Sequence, residues 1–411
     1  MFDSFNEGKR FMKYIIFLGD GMADEPLGEL GGKTPLEAAK TPNMDRIARE
    51  GQSGTFLTLP EGFPTSSDVA NLSVLGYDLS QCYTGRGPLE AGAQGINLAE
   101  NQIAFRCNLI TVKDGLIEDY SGGHISNDDA RELMTSLEEK FGTGDVRFYP
   151  GVSYRNLMIL TGEQFSADLD YHKPDSSHGM KWKEILIKPL SDKAKYTADF
   201  VNDLTRRSEA FLENHPANKR RIAQRNAPGN LIWPWSPGGK PALAPFEKKY
   251  GKKGAVISAV DVIFGIAYFA GMEQIKIPGA TGFIDTDYEG KAEAAVNALK
   301  KNDFVYLHVE STDEVGHMGD LSLKIKTIED FDRRCIGHFF QCFKGEITAA
   351  VLPDHPVPVK LRKHTRTPVP VSLMSPGLKP DGVQYYNEKE CVKGALGFMK
   401  GDELMKKIFS R

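Results

Sequence analysis

The sequence is short of cysteine, has no surplus of positive charge and contains almost no long apolar run. Its five cysteines are Cys82, Cys107, Cys335, Cys342 and Cys391, and none stands in a C-x-x-C pair. An odd number at such spacing argues against a disulfide framework or a zinc ribbon and fits a reducing cytoplasm. Lys and Arg total 51 against 55 Asp and Glu, a formal charge of −4. That disfavours a nucleic-acid binder relying on global charge, although a local basic patch stays open. One run, AVISAVDVIFGIAYFAGM at 255–272, approaches membrane-span length but carries Asp261 and Gly265. A spanning helix needs about 20 apolar residues with few charges, so this run reads as a buried helix. The opening MFDSFNEGKRF has no apolar h-region, so no secretory signal is expected. With Met12 directly before the first apolar run, residues 1–11 are expected to be a tail or a misassigned start.

What is present is ordinary globular composition, 40% hydrophobic and 26% charged over 411 residues. At about 150 residues per domain, this length suits two or three domains, or one large domain with an insertion. The element order reads α/β. KYIIFLGD (13–20) has the form of a buried strand ending at a turn. TPNMDRIAREG follows as a helix, with Thr41 as N-cap, Pro42 at the first position and Met44, Ile47 and Ala48 on its apolar face. SDVANLSVLGY (67–77) reads as a second helix after the turn EGFPTS. The middle differs. Strand-like runs such as IAFRCNLITV and DVRFYPGVSYRNLMIL mix with a helix at 127–141 and a charged helix near 198–215. NLIWPWSPGGKP reads as a boundary, with Trp233 and Trp235 packing at the domain joint. The α/β pattern then resumes through the strand DFVYLHVE, a helix near 322–340 and the strand EITAAVLPDH. The expected arrangement is a discontinuous core, 12–85 with 240–411, carrying an inserted α+β domain at 86–239.

Two nucleotide motifs fail. GRGPLE has Glu90 where G-x-G-x-x-G needs its third glycine, and no apolar strand precedes it. GGKT at 31–34 lacks the P-loop's first glycine, since Leu27 stands there. A set of metal-type ligands is stronger. Asp20, Asp354 and His355 end apolar runs. Asp313 and His317 follow another at i, i+4, on one face of a helical turn, and His364 comes nine residues after His355. Ligands in α/β sheets gather at strand carboxyl ends, and O/N donors without cysteine suit Mn²⁺, Mg²⁺ or Zn²⁺. Any one of these residues alone would read as a turn or cap; together they predict a two-metal site. Ser67, at a helix start, occupies a nucleophile's position, where the helix dipole favours developing negative charge. His124 in SGGHIS is a candidate acid, base or phosphate contact. Arg86, Arg106 and Arg155 are candidate anion clamps, whereas Arg220, Arg221 and Arg225 read as a solvated helix face.

The motifs GDGMADEPL, GKTPLEAAKTPNMDRIAREG, SDVANLSVLGYD, GRGPLEA, AFRCNLIT, GHIS, HVESTDEVGHMGD and VLPDH together resemble the archaeal-type cofactor-independent phosphoglycerate mutases of the alkaline phosphatase superfamily. The resemblance runs over nearly the whole chain from Met12. It implies a phosphatase-like α/β core with a mostly parallel sheet and an inserted substrate-binding lid. It implies a cytoplasmic enzyme that interconverts 3- and 2-phosphoglycerate without 2,3-bisphosphoglycerate, through a phosphoserine at Ser67. By motif, Asp20, Ser67, Asp354 and His355 resemble one metal site, and Asp313, His317 and His364 the other. His124 is similar to the histidine that contacts the travelling phosphoryl group, while Arg106, Arg155 and His172 match substrate contacts. The implied partner is a small phosphorylated substrate, not a membrane or nucleic acid. NLIWPWSPGG also resembles a branch proposed as homoserine kinases, so a kinase-like phosphotransferase is the alternative.

Overall fold

The computed structural model describes residues 12–410; the expectation for residues 1–11 lies outside them. The described residues divide into two compact units, one running to Cys82 and resuming at Leu243, the other Tyr83–Ala242. The first is built on an eight-stranded sheet in the order Glu273–Ile275, Gly254–Ile257, Phe304–Val309, Lys13–Gly19, Ile347–Leu352, Val369–Met374, Gln52–Leu57 and Gly397–Lys400. Neighbours pair in parallel except Val369–Met374, which runs antiparallel to both of its neighbours. The three central strands are apolar along their length and buried on both faces, as helices on both sides of a parallel sheet require.

Several expectations are corrected here. The 255–272 run is not one helix. It is strand Gly254–Ile257 followed by helix Asp261–Phe269; a buried strand and a buried helix are both wholly apolar, so periodicity cannot divide them. Helix Pro42–Arg49 buries Met44, Ile47 and Ala48 as expected, but the Thr41 side chain makes no cap bond. The Asp332 carboxylate serves that helix start instead, accepting from Asn43 N at 3.0 Å and Met44 N at 2.7 Å. The helix near 322–340 is helix Leu321–Asp330, a π-helical stretch Phe331–Gly337 and helix His338–Cys342. Strands Gln52–Leu57, Val369–Met374 and Gly397–Lys400 were not expected. Among the described residues, no helix is long and apolar enough to cross a membrane.

The second unit holds a five-stranded sheet around the long strand Gln102–Lys113. That strand pairs antiparallel with Arg155–Thr161, Leu116–Asp119 and Leu231–Gly238. Helices Asn127–Phe141 and Lys195–Glu213 pack their apolar faces into this unit's core. The segment read as a boundary, 230–241, lies at the end of the second unit and contains the strand Leu231–Gly238. Despite two prolines that strand is fully buried, and Trp233 and Trp235 pack with Ile110, Val112, Ile117 and Trp182 of the same unit, not at a joint. Arg221 corrects the solvated-face reading. It is buried, donating to Asp129 Oδ2, Ala227 O and Gly122 O, each at 2.9 Å.

Candidate metal centre

Three neighbouring parallel strands of the first unit, Phe304–Val309, Lys13–Gly19 and Ile347–Leu352, are followed by polar residues that converge. Asp20 follows strand Lys13–Gly19. The turn continues through Gly21 at φ 62°, where a Cβ would lie 2.6 Å from Asp313 Cα. Only glycine allows that approach. Asp313 and His317 lie on helix Ser311–Met318, which follows strand Phe304–Val309. Asp354 and His355 follow strand Ile347–Leu352, and His364 returns on the loop beyond. Ser67 is the first residue of helix Ser67–Val74 and is half-buried.

All seven of these residues come together. His355 Nε2 lies 3.2 Å from Ser67 Oγ and 3.4 Å from both Asp20 Oδ1 and Asp354 Oδ2. Asp313 Oδ1 is 3.3 Å from His364 Nε2, and Asp313 Oδ2 is 3.5 Å from His317 Nε2. His317 Nδ1 lies 3.0 Å from the Arg362 carbonyl. A carbonyl only accepts, so Nδ1 carries the hydrogen and Nε2 keeps its lone pair facing the cluster. That Nε2 is 2.9 Å from His364 Nε2. The tight groups differ from the expected ones: they are Asp313–His355–His364, Asp20–His308–Asp354 and Glu310–Asp313–Glu314, so that His355 joins Asp313, and His308 and Glu310 enter. His355, stacked on the His364 ring at 3.8 Å, lies between the first two.

His308 and Glu310 were missed. His308 Nε2 is 3.0 Å from Asp20 Oδ2, and its Nδ1 is 3.2 Å from Ser258 Oγ. It sits inside an apolar strand, where it reads as a core position; the signal was a pair of polar residues, His308 and Glu310, in the last turn of that run. Asn71, also missed, donates to Asp354 Oδ2 at 2.9 Å and to Ser67 O at 2.8 Å, tying the start of helix Ser67–Val74 to the carboxylate.

The electrostatics fit divalent cations. Burial, followed by the charges of Asp354, Glu310 and Asp313, raises the Asp20 carboxyl well above its usual range. Burial and then Asp313 push Glu310 up to about 8, and burial pushes Asp354 up to about 6. Asp313 goes the other way. Burial opposes its charge, but the His364 hydrogen bond and the surrounding imidazoles hold it below the ordinary carboxylate range. Burial and the Lys291 ammonium push His308 down to about 3, and burial with the His364 charge holds His355 well below the ordinary histidine value, so both rings are neutral. Asp20 Oδ1 is buried within the cluster without a hydrogen-bond partner. Orphaned buried acceptors and mutually repelling carboxylates are what a bound cation relieves.

The second unit carries the other candidates. His124 is exposed at φ 49°, after Gly122 and Gly123, also left-handed. Asp119 shapes this loop by accepting from Ser121 N at 2.7 Å and Gly123 N at 2.9 Å. Arg106 is buried. It donates to Glu90 Oε1 at 2.6 Å and Asn108 Oδ1 at 3.2 Å, and its guanidinium lies 5.1 Å from the centre of the Trp235 ring. Arg86 Nε meets the same Glu90 oxygen at 2.8 Å. Arg155 Nε is buried without a partner. His172 is half-buried, and its carbonyl accepts from Trp233 Nε1 at 2.9 Å. Glu90, the residue that broke the glycine motif, is the carboxylate shared by two of these arginines.

Fold and site together define a class: α/β proteins whose mostly parallel sheet presents a carboxylate–imidazole centre and a serine at its carboxyl edge. The chain belongs to the 2,3-bisphosphoglycerate-independent phosphoglycerate mutase family. The profile of that family matches residues 48–218. A Methanosarcina acetivorans protein of that name is 45% identical over 398 residues, 96% of this chain and 98% of the relative. A Geobacter sulfurreducens protein, a probable mutase of the same name, is 45% identical over 407 residues, 97% of this chain and all of the relative. Among solved structures, a Pyrococcus horikoshii protein superposes with a TM-score of 0.82 at 28% identity, covering 98% of this chain and 97% of its own. A cofactor-independent phosphoglycerate mutase from Thermoplasma acidophilum gives 0.66 at 27% identity, covering 97% and 99%.

Proposed function

We propose that this chain interconverts 3-phosphoglycerate and 2-phosphoglycerate through a phosphoserine at Ser67, without 2,3-bisphosphoglycerate, in the cytoplasm. The observation that carries this is the Ser67 hydroxyl, at a helix start and 3.2 Å from His355 within the carboxylate–imidazole cluster, in a chain of this family. Ser67 Oγ attacks the phosphorus in line, the glycerate C3 oxygen leaves with a proton, and the retained glycerate turns so that its C2 hydroxyl takes the group back. Asp20, Ser67, Asp354 and His355 would hold one divalent ion, Mn²⁺, Mg²⁺ or Zn²⁺. Asp313, His317 and His364 would hold the other. Bound there, the ions supply charge neutralisation for the phosphoryl oxygens and lower the pKa of the nucleophile. Asn71 and His355 orient the serine. In this reading the inserted unit acts as a substrate-binding lid: Arg106, Arg155 and His172 bind the substrate's anionic groups, and His124 contacts the phosphoryl group. Glu90 fixes the Arg86 and Arg106 forks, so a ligand meets preset donors.

The test is Ser67→Ala. The variant should fold with the parent's circular dichroism, form no phosphoenzyme and have no mutase activity, because Ser67 is half-buried and outside the packed core. Retained turnover would contradict the phosphoserine route.

A further inference from the structure

Arg366 lies two residues beyond His364, and its guanidinium crosses to a different loop. Nη1 donates to Leu59 O at 3.3 Å and Pro60 O at 2.7 Å, and Nη2 donates to Phe63 O. These carbonyls belong to the connector 58–66 between strand Gln52–Leu57 and helix Ser67–Val74. The connector contains Pro60 and Pro64, which offer no backbone N–H, so its carbonyls depend on outside donors. The helix start also lacks its usual local anchor. Ser66 stands at the N-cap but makes no side-chain cap bond, and its Oγ is buried without a hydrogen-bond partner. What locates the residues leading into Ser67 is therefore a three-carbonyl clamp supplied by the segment that carries His364. A planar fork with five donors can serve three carbonyls at once; a lysine ammonium, a single point of charge, cannot match that spread.

We propose that Arg366 is a positioning residue: by clamping the connector before Ser67 to the His364 segment, it holds the Ser67 hydroxyl in line with the substrate phosphorus. The inference rests on the phosphoserine reading above. It makes the nucleophile and one end of the metal centre a single mechanical unit, although Arg366 itself touches neither substrate nor ion.

The experiment uses full-length Arg366→Ala and Arg366→Lys in three measurements. Metal content after dialysis should equal the parent's, because no ligand is removed. The rate of phosphoenzyme formation and kcat should fall by about 100-fold, the scale of an ångström-sized misplacement, with KM little changed. Free guanidinium chloride at non-denaturing millimolar concentration should restore part of the Arg366→Ala loss, and Arg366→Lys should remain slow. Hydrogen–deuterium exchange on the metal-free proteins should show faster exchange confined to 58–70, reversed by guanidinium. Parental kcat in Arg366→Ala, or a loss that tracks metal content and ignores guanidinium, would overturn the proposal. If the parent itself forms no phosphoenzyme, the phosphoserine reading fails separately, and the exchange measurement decides the clamp: unchanged exchange at 58–70 overturns it.

Discussion

Asp20, Asp354 and Glu310 would repel one another in a buried space were nothing positive to enter it, and the neighbouring imidazoles are held neutral by that same burial. The site is thus an anionic cradle whose geometry is set by residues outside the cluster. His308 shows how. Its Nε2 donates to Asp20 Oδ2 while its Nδ1 accepts from Ser258, which fixes the ring and the carboxylate it orients. His308→Leu should weaken divalent-metal binding by about 10- to 100-fold, as loss of such an orienting partner does, with the fold retained; titration calorimetry with Mn²⁺ reads this. His317→Ala removes a donor outright and should lower metal occupancy after dialysis. Unchanged occupancy would mean that His317 is no ligand and is only a residue of the helix surface. At this scale the sequence exposed what lies after a strand and hid what lies within one. Asp20, Asp313 and Asp354 interrupt apolar runs and are conspicuous, whereas His308 sits inside such a run.

At the scale of elements, strands and helices deliver these side chains and buried polar contacts hold the loops between them. Lys324 and Asp24, both fully buried, meet at 3.0 Å, and Lys324 also donates to Ala23 O and Val357 O. The pair joins the turn after Asp20 to the loop after His355. Lys324→Met leaves the Asp24 carboxylate buried and unpaired and should destabilise the protein by about 3–5 kcal/mol, while pairing it with Asp24→Leu should recover much of that loss. Urea unfolding of both variants measures the difference. Element reading succeeded where an apolar run was bounded by turn residues, as at Lys13–Gly19 and helix Asn127–Phe141. It failed where two buried elements adjoin, as at 254–269, and where proline disguised a strand. Leu231–Gly238 and Val369–Met374 both contain proline and both lie in sheets. Tertiary burial decided these cases, and a local pattern does not record it. The antiparallel strand Val369–Met374 is also a long-range pairing that no short window contains.

For the whole molecule, the carboxylate cluster ties stability to pH and metal. Glu310 has an ordinary value of 4.5 and is pushed up to about 8 in the fold, and Asp354 goes from 3.8 to about 6. Between those limits the folded state holds protons that the unfolded chain has released, so folding takes up protons and stability falls as pH rises. His308 and His355, buried neutral, act in the opposite sense below the ordinary histidine value of 6.5, so the carboxyl effect is read above it: chelator-treated protein should have a lower Tm at pH 8 than at pH 7. Added Mn²⁺ should raise Tm more at pH 8, where the cluster is ionised and ready to bind. A metal-free Tm that climbs from pH 7 to pH 8 would contradict the cluster's electrostatics. The expected inserted domain rested on a change in pattern along the chain, because an α/β rhythm that stops and resumes is visible without any contact. How the inserted unit's arginines share Glu90 could not be read, because that depends on a side chain reaching from helix Arg86–Ala93 to the strand of Arg106.

The most direct measurement is phosphorus NMR of the purified protein with Mn²⁺ and 3-phosphoglycerate, in the absence of bisphosphoglycerate and ATP. The expected result is catalytic appearance of 2-phosphoglycerate, lost on chelation and lost in Ser67→Ala. Release of inorganic phosphate alone, or turnover that appears only with ATP and an amino alcohol such as homoserine, would contradict the mutase reading.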